Sequence, residues 1–281
     1  MAAAASAHTR FYGGTPHLIA HRGGSGLAPE NTLAAFVDAV RRWGADMVEL
    51  DVRATSDGHC VVMHDPTVDR TTDGRGDIAA MTLGQVRLLD AGYRFTGDGG
   101  ETYPFRGRGV RVPTIDEVLD ALPDTRIIVE VKHRDAQRPL FEAIRRHGAS
   151  HRVLAAGAHD RDRTLFAAYD GPVSASGDAM TRMYVWHRLH LTRFWKPGQA
   201  TSVQMPIEHW GHRIPSRRLV RELKRRGLTV HVWTVDDPDV MRQLLDWGVD
   251  GILSDRPDVL ARVLNQTHGR PLPRGVGPAA Q

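Results

Sequence analysis

The chain has a single cysteine, Cys60, so no intramolecular disulfide framework holds it, and a small buried residue is the simplest reading of that thiol. Long apolar runs are also missing. No stretch approaches the roughly 20 apolar residues of a membrane span. The N-terminus, MAAAASAHTRFYGG, has no basic region ahead of an apolar core, which argues against a secretory signal. Charge is nearly balanced: 37 Lys and Arg against 33 Asp and Glu leave +4. The cations come in short clusters such as Arg217-Arg218 and Lys224-Arg225-Arg226, which read as solvated helix faces. Nucleic acid is therefore not an expected partner, and a cytoplasmic location is the default. What is present, 41% hydrophobic residues in a chain of 281, suffices for the core of one large α/β domain or two small ones.

The rest of the chain is organised around Val48 to Asp65, VELDVRATSDGHCVVMHD. Glu49 and Asp51 are spaced i, i+2 inside an apolar run, so on a strand they share a face. Asp57-Gly58, between two β-branched runs, signals a two-residue hairpin turn. On that register Ser56 pairs with His59, and Asp51 lies opposite His64. Any one of these residues alone reads as a solvated hairpin face. Together, an imidazole beside two carboxylates makes a candidate metal and acid/base site, because clustered carboxylates repel unless a cation or a proton is shared.

Elsewhere strand-like and helix-like segments alternate. His17 to His21 is a short apolar run leaving through Arg22-Gly23-Gly24, and Asn31 offers an N-cap to a helix with Leu33, Phe36, Val37 and Val40 on one face. Thr82 to Leu89 suggests a short helix, and 92–109 is a loop or insertion with no period, either a lid or a tolerated surface excursion. Thr114 and Glu117 form a capping box. Strands are expected at 127–132, 152–156, 173–176, 202–205, 229–234 and 251–254, with helices between them and a last helix over 257–265. About eight strands, each followed by a helix, close most naturally as an α/β (β/α)₈ barrel, with a small hairpin and loop insertion after the second strand. The expected boundaries are a flexible segment over 1–16, the barrel over 17–265 and a disordered Gly- and Pro-rich tail over 266–281.

Active sites of such barrels sit at the C-terminal strand ends. His21, Glu49, Asp51, Glu130, Lys132, Gln204, Trp233 and Asp255 all fall at or near these ends. Three carboxylates from two strands suit one hard divalent cation, Mg²⁺ or Ca²⁺ with Mn²⁺ as a further candidate, better than Zn²⁺. Two histidines beside such a site are the parts for acid/base phosphoryl chemistry.

Several motifs in order carry a resemblance: His21-Arg22-Gly23, Pro29-Glu30-Asn31-Thr32, Glu49-Leu50-Asp51-Val52, His64-Asp65 before Arg70-Thr71-Thr72, Val129-Glu130-Val131-Lys132, Trp233-Thr234 and Ser254-Asp255-Arg256-Pro257. Over about 18–264 the chain resembles the glycerophosphodiester phosphodiesterase family. The resemblance implies a TIM-barrel enzyme that hydrolyses glycerophosphodiesters to glycerol 3-phosphate and an alcohol. It implies His21 and His64 as the general acid/base pair and Glu49, Asp51 and Glu130 as ligands of a divalent cation. It further implies Arg22 and Lys132 on the phosphate and Trp233 on the pocket wall.

One stretch departs from a plain member of that family. Residues 181–213 interleave Tyr184, Trp186, Leu189, Phe194 and Trp195 with Arg182, Arg188, Arg193 and Lys196. This reads either as a helix on the barrel wall or as a peripheral lip for a lipid surface or an acyl chain, with lysophospholipase D-like hydrolysis of lysophospholipids as the alternative activity. A barrel that binds a phosphodiester without turning it over is the second alternative. The histidine pairs 187/190 and 209/212 have zinc-like spacing but lack carboxylate or thiol partners in the same stretch.

Overall fold

Short aliphatic runs buried on both faces make the staves, as parallel strands require. The computed structural model describes residues 11–14, 16–209 and 211–277. In chain order the elements are β1 (His17–Ala20), α1 (Leu33–Arg41), β2 (Met47–Ala54), β3 (Cys60–Val62), α2 (Leu83–Val86), α3 (Ile115–Ala121) and β4 (Arg126–Val131). There follow α4 (Gln137–Arg146), β5 (Val153–Ala156), α5 (Gly177–Arg188), β6 (Ser202–Pro206), β7 (Glu208–His209), β8 (His212–Arg213) and α6 (Arg217–Lys224). The last elements are β9 (Thr229–Trp233), α7 (Pro238–Asp246), β10 (Gly251–Ser254) and α8 (Pro257–His268).

The parallel order β5-β4-β2-β1-β10-β9-β6 forms a (β/α)₈ barrel that closes through one short stave. Val173 bridges to Ala155 and Ser174 to Ser202, both parallel, so residues 173–174 are the eighth stave where the sequence suggests a strand over 173–176. The preceding segment, expected as a helix over 163–169, holds a single 3-10 turn at Phe166–Ala168.

Inside the barrel the side chains change character with height. Ile19, Met47, Ile128, Leu154 and Leu253 pack with Phe11 and Tyr12 in one buried cluster. Glu49 and Asp51 continue the inward parity of Met47, and Glu130 continues that of Ile128, so the apolar filling gives way to carboxylates at the C-terminal ends. The segment just before β1 seals the lower end: Arg126 Nη1 donates to the carbonyls of Phe11 and Gly13, and Tyr12 Oη lies 2.8 Å from Thr201 Oγ1. Residues 11–14 are thus packed where a flexible segment is expected, while 1–10 lie outside the described residues.

The hairpin register differs from the expectation by one residue. Val52 pairs with Val62 and Ala54 with Cys60, and Met63 N–H donates to Asp51 O, so Met63 rather than His64 lies opposite Asp51. A two-residue turn of the favoured kind needs positive φ at both central residues. Gly58 alone has it (φ +82°), because the Asp57 carboxylate is engaged by Thr55 Oγ1 and by the Leu83 N–H. The turn therefore spans Ser56 to Gly58, and His64 falls just beyond the ladder. The excursion that follows has its own small core of Val61, Met63, Val68, Ile78, Val86 and Val112.

The C-terminal helix runs three residues past the expected 265 and stops at Gly269 (φ +65°). The next segment, expected to be disordered, packs on the barrel: Arg270 binds both Asp46 oxygens at 2.6 and 3.1 Å, and Val276 is buried. The Gly/Pro composition here marks a strap without regular structure, whose few apolar side chains still find a hydrophobic seat. Residues 278–281 lie outside the described residues. Among the described residues no helix is long and apolar enough to cross a membrane.

Candidate active site

The chain leaves β1 through a tight turn at His21–Gly23 in which Arg22 (φ +50°) adopts a left-handed conformation that an arginine rarely takes. Gly23 follows at φ +86°, and a Cβ there would meet Ala35 Cβ at 2.7 Å and Phe36 Cδ1 at 2.9 Å, so helix α1 packs directly on the turn. The turn aims two side chains into the barrel mouth and points its own backbone at a carboxylate: Arg22 N–H donates to Glu49 Oε2 at 3.0 Å. Such strain is a common mark of functional loops.

Eight of the candidate side chains, His21, Arg22, Glu49, His64, Glu130, Lys132, Gln204 and Trp233, line one cleft of about 170 Å³ at this mouth. Asp51, behind them, is 1% exposed and lies in contact with several of them. Its two oxygens are held by Lys132 Nζ at 2.9 Å, Arg22 Nε at 3.3 Å and Asn31 Nδ2 at 2.9 Å. Lys132 also reaches Glu130 Oε2 at 2.9 Å. Of the 181–213 stretch, Gln204 is the single described residue on the wall, and its Nε2 is buried without a hydrogen-bond partner.

Glu49, Asp51 and Glu130 each offer an oxygen within 4.8 Å of the other two, the one such group of potential metal ligands among the described residues. Burial, and then the neighbouring Asp51, pushes the Glu49 carboxyl up to about 7. Asp51 is pushed upward by burial, but Lys132 and Arg22 outweigh that and hold it below the usual carboxylate value. Three carboxylates against two cations leave the pocket one negative charge in excess. An oxygen-only donor set with one carboxylate driven toward neutrality fits a hard divalent ion.

Both histidines are buttressed in the same way. His21 Nδ1 donates to Asp255 Oδ1 at 2.7 Å, and His64 Nδ1 donates to Asp65 Oδ1 at 2.7 Å. The carboxylate fixes the tautomer, leaving Nε2 of each ring as the nitrogen able to accept a proton. For His21, whose Nε2 lies 3.9 Å from Glu49, burial works against the charged form, but Asp255 and Glu49 prevail and raise its pKa. Asp65 is held in turn by Arg70 Nε at 2.6 Å, and Arg70 binds both oxygens of Glu30, which accepts from Arg22 Nη1 at 3.0 Å. A continuous run of bonds therefore links His64 to Arg22.

The comparisons agree with one another. The profile of the Glycerophosphoryl diester phosphodiesterase family matches residues 21–259. The chain belongs to that family. A glycerophosphodiester phosphodiesterase of Caldanaerobacter subterraneus subsp. tengcongensis is 32% identical over 259 residues, covering 89% of this chain and 98% of the relative. The glycerophosphoryl diester phosphodiesterase domain of a Mycobacterium tuberculosis protein superposes with a TM-score of 0.78 at 23% identity, over 90% of this chain and all of that domain. A phosphodiesterase of Oleispira antarctica, solved with sn-glycerol-3-phosphate, gives 0.72 at 24%, over 89% and 97%.

Within this member of the glycerophosphoryl diester phosphodiesterase family, sequence reasoning missed the supporting roles of three residues, although Asp255 was among the positions expected at the strand ends. Asn31 is not the N-cap of α1: Thr32 is, accepting from Ala35 N–H at 3.2 Å. Asn31 instead sits at φ +58° and grips Asp51 at both side chain and backbone. An asparagine tolerates that conformation better than most residues, which is the signal Pro29-Glu30-Asn31 carried. Asp65 and Asp255 lay in quoted motifs, yet their hold on the imidazoles depends on side-chain geometry that no spacing reveals. The zinc-like histidine pairs are not part of any metal-ligand group among the described residues.

Proposed function

We propose that the protein is a phosphoric diester hydrolase that cleaves glycerophosphodiesters to glycerol 3-phosphate and an alcohol. One observation carries this reading: two Asp-buttressed imidazoles, a three-carboxylate cluster and the cations Arg22 and Lys132 converge on a single cleft. Glu49, Asp51 and Glu130 would hold one divalent cation, Mg²⁺ or Ca²⁺ or else Mn²⁺, which supplies positive charge for the phosphate oxygens when bound.

The chain's own groups do the rest. Arg22 and Lys132 bind the phosphodiester monoanion and answer the charge that grows on it as the bond breaks. Gln204 Nε2, buried without a partner, gains one in a substrate oxygen. One imidazole takes at its Nε2 the proton of the attacking glycerol 2-hydroxyl while the other delivers a proton to the leaving alcohol oxygen. The cyclic phosphate so formed is opened by water to glycerol 3-phosphate with the two rings exchanging roles, and Asp65 and Asp255 steady each ring through the exchange. Trp233, 38% exposed at the rim, bounds the side where the departing alcohol lies. The aromatic residues of 181–213 are not on the cleft wall, so water-soluble diesters suit this site better than lysophospholipids. A single buried thiol fits a cytoplasmic setting.

The test is turnover of glycerophosphocholine by purified protein, with chelator and then with Mg²⁺, Ca²⁺ or Mn²⁺ restored. Metal-dependent release of glycerol 3-phosphate is expected. A folded protein that binds the diester and releases nothing would return the barrel to a binding role, and choline release from lysophosphatidylcholine alone would move the activity to lysophospholipids.

A further inference from the structure

Helix α6 exposes cations along its whole outer arc. Leu219, Val220 and Leu223 face the core, while Arg217, Arg218, Arg221 and Lys224, with Arg225 just beyond, are exposed. Its one acidic residue, Glu222, turns sideways to accept from His187 Nδ1 and Arg218 Nε, both at 2.8 Å. Arg217 pairs with Asp246, and Lys224 with Asp250 at 2.7 Å. Arg221 and Arg225 have no acidic partner among the described residues and border a groove of about 420 Å³ that ends at Trp247.

The neighbouring wall is of the same kind but adds apolar surface. The His187–Glu222 bond joins α5 to α6, and Arg226 Nη1 donates to Trp195 O at 2.9 Å, so the segment after α5 lies against the end of α6. On α5 and this segment Val185, Leu189 and Phe194 are 52%, 58% and 55% exposed. Arg188, Arg193 and Lys196 stand among them, likewise without acidic partners among the described residues. Counting Arg221 and Arg225, five cations without an acidic partner among the described residues therefore stand on this one wall, interleaved with exposed apolar side chains.

From this juxtaposition we infer that the α5–α6 wall docks on an anionic lipid surface. Guanidinium groups meet the headgroup phosphates, while Leu189 and Phe194 enter the interfacial layer, as in amphipathic membrane-surface elements. Half-exposed aliphatic and aromatic side chains between the cations favour lipid over nucleic acid, against whose phosphates they would gain little. Helix α5 starts at Gly177 on the cleft wall and its 12 residues carry the chain ~18 Å away, so docking keeps the mouth open to water. The surface serves location rather than substrate extraction.

Co-sedimentation of the full chain with phosphatidylcholine vesicles, with and without phosphatidylglycerol, tests this. Binding is expected only when phosphatidylglycerol is present, and it should weaken as salt rises. Arg221→Glu with Arg225→Glu should cut partitioning by about tenfold or more, and Leu189→Ser with Phe194→Ser should remove what persists at high salt. Turnover of a soluble glycerophosphodiester should be the same for both double variants, which also verifies their fold. Equal binding to neutral vesicles, no binding to anionic ones, undiminished binding by both variants, or preference for a single-stranded RNA over the vesicles would each overturn the assignment. Because the readout is sedimentation, its failure is separable from failure of the proposed hydrolysis.

Discussion

At the scale of single residues, the roles proposed for the two imidazoles and the three carboxylates can be tested separately. His21→Ala or His64→Ala should lower kcat for glycerophosphocholine by at least about 10²-fold, with circular dichroism and melting temperature near wild type; full activity in either would remove that histidine from the reaction. Glu49→Gln or Glu130→Gln should shift the metal titration of activity to higher concentration, and an unaltered titration would count against a ligand role. Asp65 gives a stability prediction. Burial opposes its ionisation, but the hydrogen bonds from Arg70 and His64 prevail and lower its pKa from 3.8 to about 2. The contribution is complete above 3.8 and drains away as pH falls toward about 2. In Asp65→Asn that acid limb should flatten, which melting curves across this range would show. Glu49 and Asp51 were legible as a pair in the sequence, because period two and the apolar setting point them to one place, whereas His64 reaches the same cleft from beyond the ladder rather than from opposite Asp51 as the expected register had it. The bonds from Asn31, Asp65 and Asp255 were not, since each hinges on a rotamer.

At the scale of elements, the turn after β1 and the helix behind it act as one piece. Gly23→Ala would put a methyl into Ala35 and Phe36 on a backbone that already has positive φ. It should displace His21 and Arg22, so that activity falls more than stability does; chemical denaturation and kcat on the same preparation would separate the two. The cap of α3 offers a purely structural counterpart. Thr114 and Glu117 close a complete capping box, so Thr114→Ala should cost about 1 kcal/mol in denaturant unfolding and leave turnover alone. Helices and staves could be read from sequence where apolar period and caps agreed, as at Thr114 and at Gly251–Ser254. The hairpin register could not, because it turned on which of Asp57 and Gly58 takes positive φ, and the Asp57 contact to Leu83 that decides it is 26 residues distant. The segment at 163–169 has helical composition, yet only one 3-10 turn forms there.

At the scale of the molecule, the lower end of the barrel is braced by two segments outside the β/α repeat, residues 11–14 and the strap after His268. Removing the strap after His268 exposes the seat of Val276 and breaks the Arg270–Asp46 pair. Truncation there should lower stability by about 2 kcal/mol or more, read as an earlier urea midpoint. Low hydropathy hid this strap, since one buried valine among glycines and prolines leaves no periodic signal. The short stave has a different consequence. Where β2 and β4 pair over six residues, the joint at Val173 and Ser174 has one bridge on each side and a handful of backbone bonds. Cooperative opening begins where a sheet has least to break, so deuterium should enter the amides of 173–176 before those of any neighbouring stave. Ser174 and Ala175 line the cleft, and the first slit to part in the cylinder would therefore run straight into the active site.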